Sequence, residues 1–405
     1  MTNKNLTVAL LGFGVVGSGT AQVITENQDR IRRATGRGVD IRYILDLREF
    51  PDSPFADRIV HDYNIIVSDP EVDVVVEMMG GSHPAYEFSR AALEAGKSVV
   101  TSNKEVVANF GTELLALAAD KGVRYLFEAS VGGGIPVLRP LAQDMAANRV
   151  CSINGILNGT TNYILTKMLD EGAAYDDVLK DAQAKGYAER NPAADVEGLD
   201  AARKIVILAA LSFGKLLDPS VIHCEGITKI TAEDAAFAKA NGYAVKLIGH
   251  TELMDGKVLA MVSPRLVPVG NPLAGVSDVF NGILVDANML GECMFYGKGA
   301  GKLPTASAVV ADIIDIVAHM GQDGVRTPVF EVASAADLAD FGAYQCRTML
   351  AVAEKDAAKL ESVFGIAPNC ANGRAAVITE VMSETALDAK IAESGLTVLS
   401  RIRVL

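Results

Sequence analysis

An apolar run, Leu6-Thr-Val-Ala-Leu-Leu11, passes directly into Gly12-Phe-Gly-Val-Val-Gly17, and a helical pattern continues from Gly17 to Ile31. Strand, glycine turn and helix in that order give G-x-G-x-x-G its meaning as a dinucleotide site. Gly12 permits the tight turn, Gly14 lets the backbone approach a pyrophosphate, and Gly17 lets the helix pack closely on the strand. The helix start then turns its free N–H groups and positive dipole end toward the phosphates. The expected cofactor contacts are Gly12, Phe13, Gly14, Val15, Val16 and Gly17. The alternative is a glycine-rich turn that holds no ligand.

Strands and helices alternate through the first third. Ile41–Asp46 reads as the second strand, Val72–Glu77 as another, and Met78-Met-Gly-Gly81 as the turn beyond it. Pro84–Ala95 is helical and stopped by Gly96. Ser98–Lys104 is a strand with a polar end, Val106–Lys121 a helix ended by Gly122, and Val123–Glu128 the next strand. This pattern predicts a Rossmann-type, doubly wound parallel sheet. Ligands bind at the carboxyl ends of such strands, where Asn103 and Lys104 follow Thr101-Ser102.

A chain of 405 residues has room for two or three domains. Half the residues are hydrophobic, yet no uncharged apolar stretch reaches the ~18 residues of a membrane span. Met1-Thr-Asn-Lys-Asn leads straight into the first strand, leaving no room for a signal peptide. The net charge of −13 argues against a nucleic-acid partner. The five cysteines, Cys151, Cys224, Cys293, Cys346 and Cys370, are scattered and odd in number, as expected of reduced thiols in a cytoplasm. No pair of the five histidines has ligand spacing, which argues against a zinc-dependent dehydrogenase.

The segment from Gly186 to Lys204 concentrates Glu189, Asp195, Asp200 and Lys204. Lys204 opens an apolar run, Ile205–Leu211, and a lysine heading a buried helix is costly without a partner. Asp200 stands four residues before it and shares its helix face. The bland reading is an ordinary i, i+4 ion pair; the chemical one is an ammonium held as a proton donor. Further along, Glu128-Ala-Ser-Val-Gly-Gly-Gly-Ile-Pro136 reads as a glycine loop, or simply a linker. Ser152–Leu165 mixes a strand with a polar turn at Asn158–Thr161. Tyr296–Thr305 is glycine-rich and flexible, and Ser307–Met320 is helical.

Over residues 5–330 the chain resembles homoserine dehydrogenases. The resemblance rests on GFGVVG at 12–17, SNK at 102–104, EASVGGGIP at 128–136, GILNGTTNYIL at 155–165, GYAERNP at 186–192, DVEGLDAARK at 195–204 and GKGAGKLPTASAV at 297–309. It implies interconversion of L-homoserine and L-aspartate 4-semialdehyde with NAD or NADP, in threonine and methionine biosynthesis. It further implies that Lys104 and Lys204 stand at the reacting centre, that Lys204 carries the proton, and that Asp200 supports it. By the same resemblance Glu189 holds the substrate amino group, with Asp195, Gly159, Thr160 and Tyr187 beside the substrate. Thr101, Ser102, Lys104 and Gly301 join Asp46 and Arg48 at the cofactor. The carbonyls of Glu128, Val131, Gly133 and Ile135 hold a sodium ion, and carbonyl oxygens suit a hard cation. The expected division is a dinucleotide-binding domain at 1–130, with 305–335 packing back on it, and an α+β substrate and dimerisation domain at 131–304. The remainder, 345–405, would be a small ACT-like α+β domain. A cytoplasmic homodimer or homotetramer is expected.

Two features depart from that family. Where an arginine for an NADP 2′-phosphate often stands, this chain has Leu45 before Asp46, the acid expected on an NAD ribose. Arg48 remains within reach of a phosphate, so NAD should serve at least as well as NADP. The C-terminal segment reads strand Cys346–Val352, helix Asp356–Phe364, strand Ala375–Val381, helix Ser383–Glu393 and strand Thr397–Val404, a βαββαβ module short of one strand. Lys355-Asp-Ala-Ala-Lys359 replaces the usual Asp-x-Pro-Gly-Val helix start, which favours a packing role over threonine binding. Tyr163 and Lys167 imitate the Tyr-x-x-x-Lys pair of short-chain dehydrogenases, but the glycine fingerprint is of the other type and Tyr163 is expected in a core. A different semialdehyde or amino-acid reductase, or a non-catalytic dinucleotide sensor, are the competing functions.

Overall fold

The computed structural model describes residues 4–320 and 328–405. The Met1-Thr-Asn lead-in and residues 321–327 of the 305–335 return segment lie outside the described residues. The chain divides into two compact units. One comprises Met1–Arg149, Val206–Asp218 and Gly297–Val332; the other comprises Val150–Ile205, Pro219–Tyr296 and Ala333–Leu405.

The first unit is built on a six-stranded sheet of β1 (Leu6–Leu11), β2 (Val39–Leu45), β3 (Ile59–Val60), β4 (Val74–Glu77), β5 (Ser98–Thr101) and β6 (Tyr125–Leu126). Its order is β3-β2-β1-β4-β5-β6 and every pairing is parallel. The strand order reverses between β1 and β4, which is where such sheets open their ligand crevice. All six residues of β1 and all four of β4 are buried, as a parallel sheet covered on both faces requires. The helix Lys302–His319 returns to this core, where Val309, Ile313 and Ile316 pack with Leu10, Ile24 and Val76.

The helix expected over 17–31 is two helices, Val15–Glu26 and Gln28–Thr35. They break at Asn27, whose side chain donates to the Val23 carbonyl and so competes with the helical ladder. The strand expected over 123–128 shortens to Tyr125–Leu126, because Glu128–Ser130 folds as a 3₁₀ turn. The glycine-rich stretch at 296–305 is more regular than expected. A strand runs to Lys298 and a helix starts at Lys302, with Pro304 in its first turn, where the missing N–H costs nothing.

The second unit is organised by a ten-stranded mixed sheet. Along its main path the order is Gly291–Lys298, Phe280–Ala287, Val150–Ile156, Tyr243–Met254, Lys257–Pro268, Val398–Val404, Thr348–Ala353, Arg374–Ile378 and Asn369–Ala371. Val398–Val404 pairs in parallel with Lys257–Pro268 on one side and antiparallel with Thr348–Ala353 on the other. The strand thought missing from the C-terminal module is present as Asn369–Ala371, a hairpin partner of Arg374–Ile378. Arg403, 1% exposed, fixes this junction: its guanidinium meets Glu384 at 2.8 and 3.0 Å and both Glu225 oxygens at 3.0 Å.

Candidate active site

In the first unit the glycine turn is sterically closed on one side and open on the other. Gly12 has φ +89°, and a Cβ on Gly17 would sit 2.0 Å from the Gly12 carbonyl oxygen. Around Gly14, which caps the Val15–Glu26 helix, a Cβ would meet nothing within 4 Å. The three glycines thus do different jobs, and the open one fronts the helix N-terminus where phosphate belongs. Val15 is exposed there at 66%, whereas Phe13 is buried against Phe50.

Asp46 closes the end of β2. Its Oδ2 accepts from the Phe13 amide at 2.8 Å, and Arg48 grips it through Nε to Oδ1 and Nη2 to Oδ2, both at 3.0 Å. The Arg48 hydrogen bond, helped by the Phe13 amide against partial burial, pulls the Asp46 carboxyl down to about 2. At the end of β5, Asn103 caps the Lys104–Lys121 helix by accepting from the Glu105 and Val106 amides at 3.1 and 3.3 Å. Thr101 is fully buried, Ser102 and Lys104 are half-buried, and Lys104 is the first residue of the helix. Gly301, at φ +123°, caps the Lys302–His319 helix.

The 128–136 loop is pinned at both ends. The Glu128 carboxylate accepts from the Val137, Leu138 and Arg139 amides at 2.7, 2.9 and 2.7 Å, capping the short helix that follows. Its own amide donates to buried Asp312 at 2.8 Å, and Arg139 pairs with the same carboxyl. Burial and the nearby Glu128 charge push Asp312 up to about 7, with Arg139 opposing. A Cβ on Gly133 would lie 2.4 Å from the Gly299 carbonyl oxygen, so the loop packs tightly on the segment before Gly301. Among the described residues, no hydrogen bond ends on the carbonyls of Glu128, Val131, Gly133 or Ile135. All four residues are buried, and buried carbonyls without donors fit a hard cation.

In the second unit one asparagine collects the acids. Asn158 caps the Gly159–Glu171 helix through the Thr161 amide at 2.9 Å, and its Nδ2 donates to Asp195 Oδ1 at 2.7 Å and Asp200 Oδ2 at 2.9 Å. Lys204 Nζ donates to the same Asp200 oxygen at 2.7 Å and to the Leu157 carbonyl at 2.6 Å. Asp200 and Lys204 are 6% and 8% exposed, so this is no solvated surface pair. Lys204 lies in the second turn of the Leu199–Phe213 helix rather than at its head. Thr160 donates its hydroxyl to the Tyr187 carbonyl at 2.6 Å, and Gly159 packs so that a Cβ would lie 2.7 Å from the Val279 oxygen. Glu189 is exposed; Gln183 donates to its carbonyl at 3.1 Å, and no hydrogen bond or ion pair among the described residues joins its carboxylate to the Asp195–Lys204 cluster. Tyr163 is buried as expected, and its hydroxyl pairs with Asp181 and Lys185, not with Lys167.

Asn158 and the fully buried Glu77 are the polar residues that sequence reading did not assign to the site. The signal for Asn158 is an N-cap pattern, Asn158-Gly-Thr-Thr161, placed after an apolar strand. The chemistry available is clear: one end of the first unit is shaped for a dinucleotide, and the second unit holds a buried ammonium on an acid already bonded to an amide.

Two family models match the chain: one described as homoserine dehydrogenase over residues 136–314, the other as homoserine dehydrogenase, NAD binding domain, over residues 12–128. The homoserine dehydrogenase of Neisseria gonorrhoeae is 45% identical over 77% of this chain and 72% of that protein. That of Bacillus subtilis is 43% identical over 78% and 74%. The crystal structure of a homoserine dehydrogenase from Thiobacillus denitrificans superposes with a TM-score of 0.91 at 36% identity, covering 100% of this chain and 99% of that one. A hyperthermophilic archaeal homoserine dehydrogenase in complex with NADPH gives a TM-score of 0.66 at 28% identity, covering 77% and 97%. The chain therefore belongs to the homoserine dehydrogenase family, NAD(P)-dependent oxidoreductases built on a parallel dinucleotide-binding sheet with a mixed sheet.

Proposed function

We propose that this chain interconverts L-homoserine and L-aspartate 4-semialdehyde with Lys204 as the group that takes and returns the O4 proton. The observation that carries this is the buried Lys204–Asp200 pair, bonded on to Asn158 and Asp195. Oxidation of the alcohol breaks the C4–H and O4–H bonds: the hydride leaves C4 for the dinucleotide, and the proton leaves O4. The dinucleotide supplies or accepts that hydride, and the glycine turn at 12–17 with Asp46 fits it. Lys204 is oriented by two fixed acceptors, so without reorganising its neutral amine takes the O4 proton and becomes the ammonium. In the reverse direction it polarises the aldehyde and gives the proton back. Lys104 adds a second cation at the reacting end. Glu189 pairs with the substrate ammonium, with Asp195, Gly159, Thr160 and Tyr187 around the amino-acid part. Thr101, Ser102 and Gly301 line the cofactor.

NAD serves at least as well as NADP in this reading. Asp46 suits a ribose hydroxyl, and Arg48 is engaged by Asp46 rather than held out for a phosphate. A sodium ion held by Glu128, Val131, Gly133 and Ile135 carbonyls would tie the loop to its place. The 345–405 segment is an ACT-like module, supported by the strand order Val398–Val404, Thr348–Ala353, Arg374–Ile378, Asn369–Ala371, the split βαβ arrangement. It is a packing or dimerisation element, third in chain order after the 1–130 and 131–304 domains, and the working form is a cytoplasmic homodimer or homotetramer. Among the described residues no helix is long and apolar enough to cross a membrane.

The test is nicotinamide absorbance with homoserine, wild type against Lys204→Met, with dinucleotide binding followed separately by fluorescence. The variant should bind cofactor normally and lose about 10²–10⁴-fold in kcat. Near-wild-type turnover would remove Lys204 from the chemistry.

A further inference from the structure

We propose that Glu77 is a positioning residue that ties together the two turns at the cofactor end of the first unit, and that it does so as a carboxylate. This rests on the dinucleotide reading above and adds a residue to it.

Glu77 ends β4, fully buried, in register with Leu11 of β1 on one side and Thr101 of β5 on the other. It therefore sits at the reversal of strand order, directly beside the glycine turn: the Met78 amide donates to the Leu11 carbonyl at 3.0 Å, and a Cβ on Gly12 would come within 3.2 Å of the Met78 oxygen. Its Oε2 accepts the Thr101 hydroxyl at 2.6 Å, and its Oε1 accepts the Met79 amide at 2.7 Å. Asn103 Nδ2 approaches Oε1 at 3.5 Å and donates at 2.7 Å to the Gly81 carbonyl. The Thr101 hydroxyl in turn accepts from the Asn103 amide at 2.9 Å. The result is one web joining the 78–81 turn to the 101–104 turn that delivers Lys104.

Every group touching the Glu77 carboxyl is a donor, which is the environment of an ionised acid. None of these donors is a cation. From β1 it is faced by Leu11, from β5 by Thr101, from the helix cap by Asn103, and from β6 by Tyr125, whose buried hydroxyl has no hydrogen-bond partner and is disfavoured from ionising by burial and by Glu77. Burial pushes Glu77 up to about 7, against the Thr101, Met79 and Asn103 bonds. An isolated buried carboxylate is costly to keep, and a fold that only needed to be stable has simpler choices here. Loss of the charge on acidification replaces an acceptor by a donor at one oxygen, and the web loosens where the dinucleotide must bind.

The sign follows. Glu77 holds its proton to a higher pH in the fold than in the unfolded chain, so its contribution to stability is complete below about 4.5 and is lost as pH rises through about 7. Its contribution to cofactor binding runs the other way, appearing as pH rises through the same value. The experiment measures NAD(P)H affinity by fluorescence and thermal stability, each from pH 5.5 to 8.5, in full-length wild type, Glu77→Gln, Thr101→Val and Thr101→Ser. Wild type should lose about tenfold in affinity below pH 7. Glu77→Gln should be about tenfold weak at pH 8, flat with pH, and should lose the alkaline decline in stability. Thr101→Val should be weakened, and Thr101→Ser, which keeps the hydroxyl that Glu77 accepts, should be weakened less. A Glu77→Gln enzyme that matches wild-type affinity at every pH overturns the proposal alone. So does one that is merely less stable by the same amount at all pH values. A wild type that binds no dinucleotide overturns the underlying reading instead.

Discussion

Replacing Asp200 by Asn removes a charge while keeping the shape, and its effect can be worked from the contacts. Asp200 accepts Lys204 at 2.7 Å and Asn158 at 2.9 Å through the same Oδ2, and it is 6% exposed. The amide either turns its NH₂ toward two donors or gives them a weaker neutral oxygen, and the Lys204 ammonium loses its charged neighbour while still buried. Removing one partner of a buried pair costs about 3–5 kcal/mol. The higher figure belongs to a drier site, so ~3 kcal/mol is expected here, where both side chains keep a sliver of exposure. Lys204→Met alone strands the carboxylate and should cost a similar amount, softened because Asn158 still donates to it. The double variant leaves no unpaired charge. Its loss should fall well below the sum, with a coupling of ~2 kcal/mol or more. The assay is urea unfolding of the four proteins, read at the midpoint and slope, alongside turnover of homoserine. All three variants should be catalytically poor, so stability and activity part company in the double variant. Strictly additive stability losses would refute the claim that the two residues act as one buried unit.

Gly17→Ala should abolish dinucleotide binding, because the new methyl would stand 2.0 Å from the Gly12 carbonyl and must open the turn; retained affinity in a fluorescence titration would contradict that geometry. Steady-state kinetics with each cofactor should give NAD a kcat/KM at least equal to that of NADP, and Arg48→Ala should lower NADP use more than NAD use. A tenfold NADP preference in the wild type would show that Arg48 abandons Asp46 for the phosphate. Glu189→Gln should raise KM for homoserine with little change in kcat, as expected of a contact made equally in ground and transition states; a collapse of kcat at constant KM would give Glu189 a chemical part. Replacing sodium by a bulky organic cation should lower thermal stability if the 128–136 carbonyls hold a metal, and titration calorimetry with sodium on the exchanged protein should detect its return.

The dinucleotide end was legible because local rules fix it. An apolar strand, three glycines at set offsets and a helix leave few alternatives, and β1 runs over Leu6–Leu11 as read. The Asp200–Lys204 pair was legible for the same reason, since helical spacing alone puts the two on one face. What sequence could not supply is long-range. Asn158 lies 42 positions from Asp200, and nothing local says that its amide will reach two acids. Glu77 reads as any acid ending a strand until Thr101 and Met79 are found around it. Asn369–Ala371 escaped because three exposed residues carry no alternation to detect. The helix read over Ser307–Met320 begins earlier, at Lys302, and its first turn escaped because glycines and a proline look like a loop, although each is tolerated at a helix start.

Val398–Val404 lies between Lys257–Pro268 and Thr348–Ala353, yet it is the final strand of that sheet to be made. On the ribosome the neighbours wait for it. Until those residues emerge, two half-sheets show open edges to each other and to any other chain. Glu225 and Glu384, which share Arg403, meanwhile lack the cation that neutralises them. Arrival of one strand joins the halves and discharges both acids together. Nascent second units are therefore most vulnerable to mispairing after Thr348–Ala353 has emerged and before Val398–Val404 has, and a helper that shields strand edges would act in that interval.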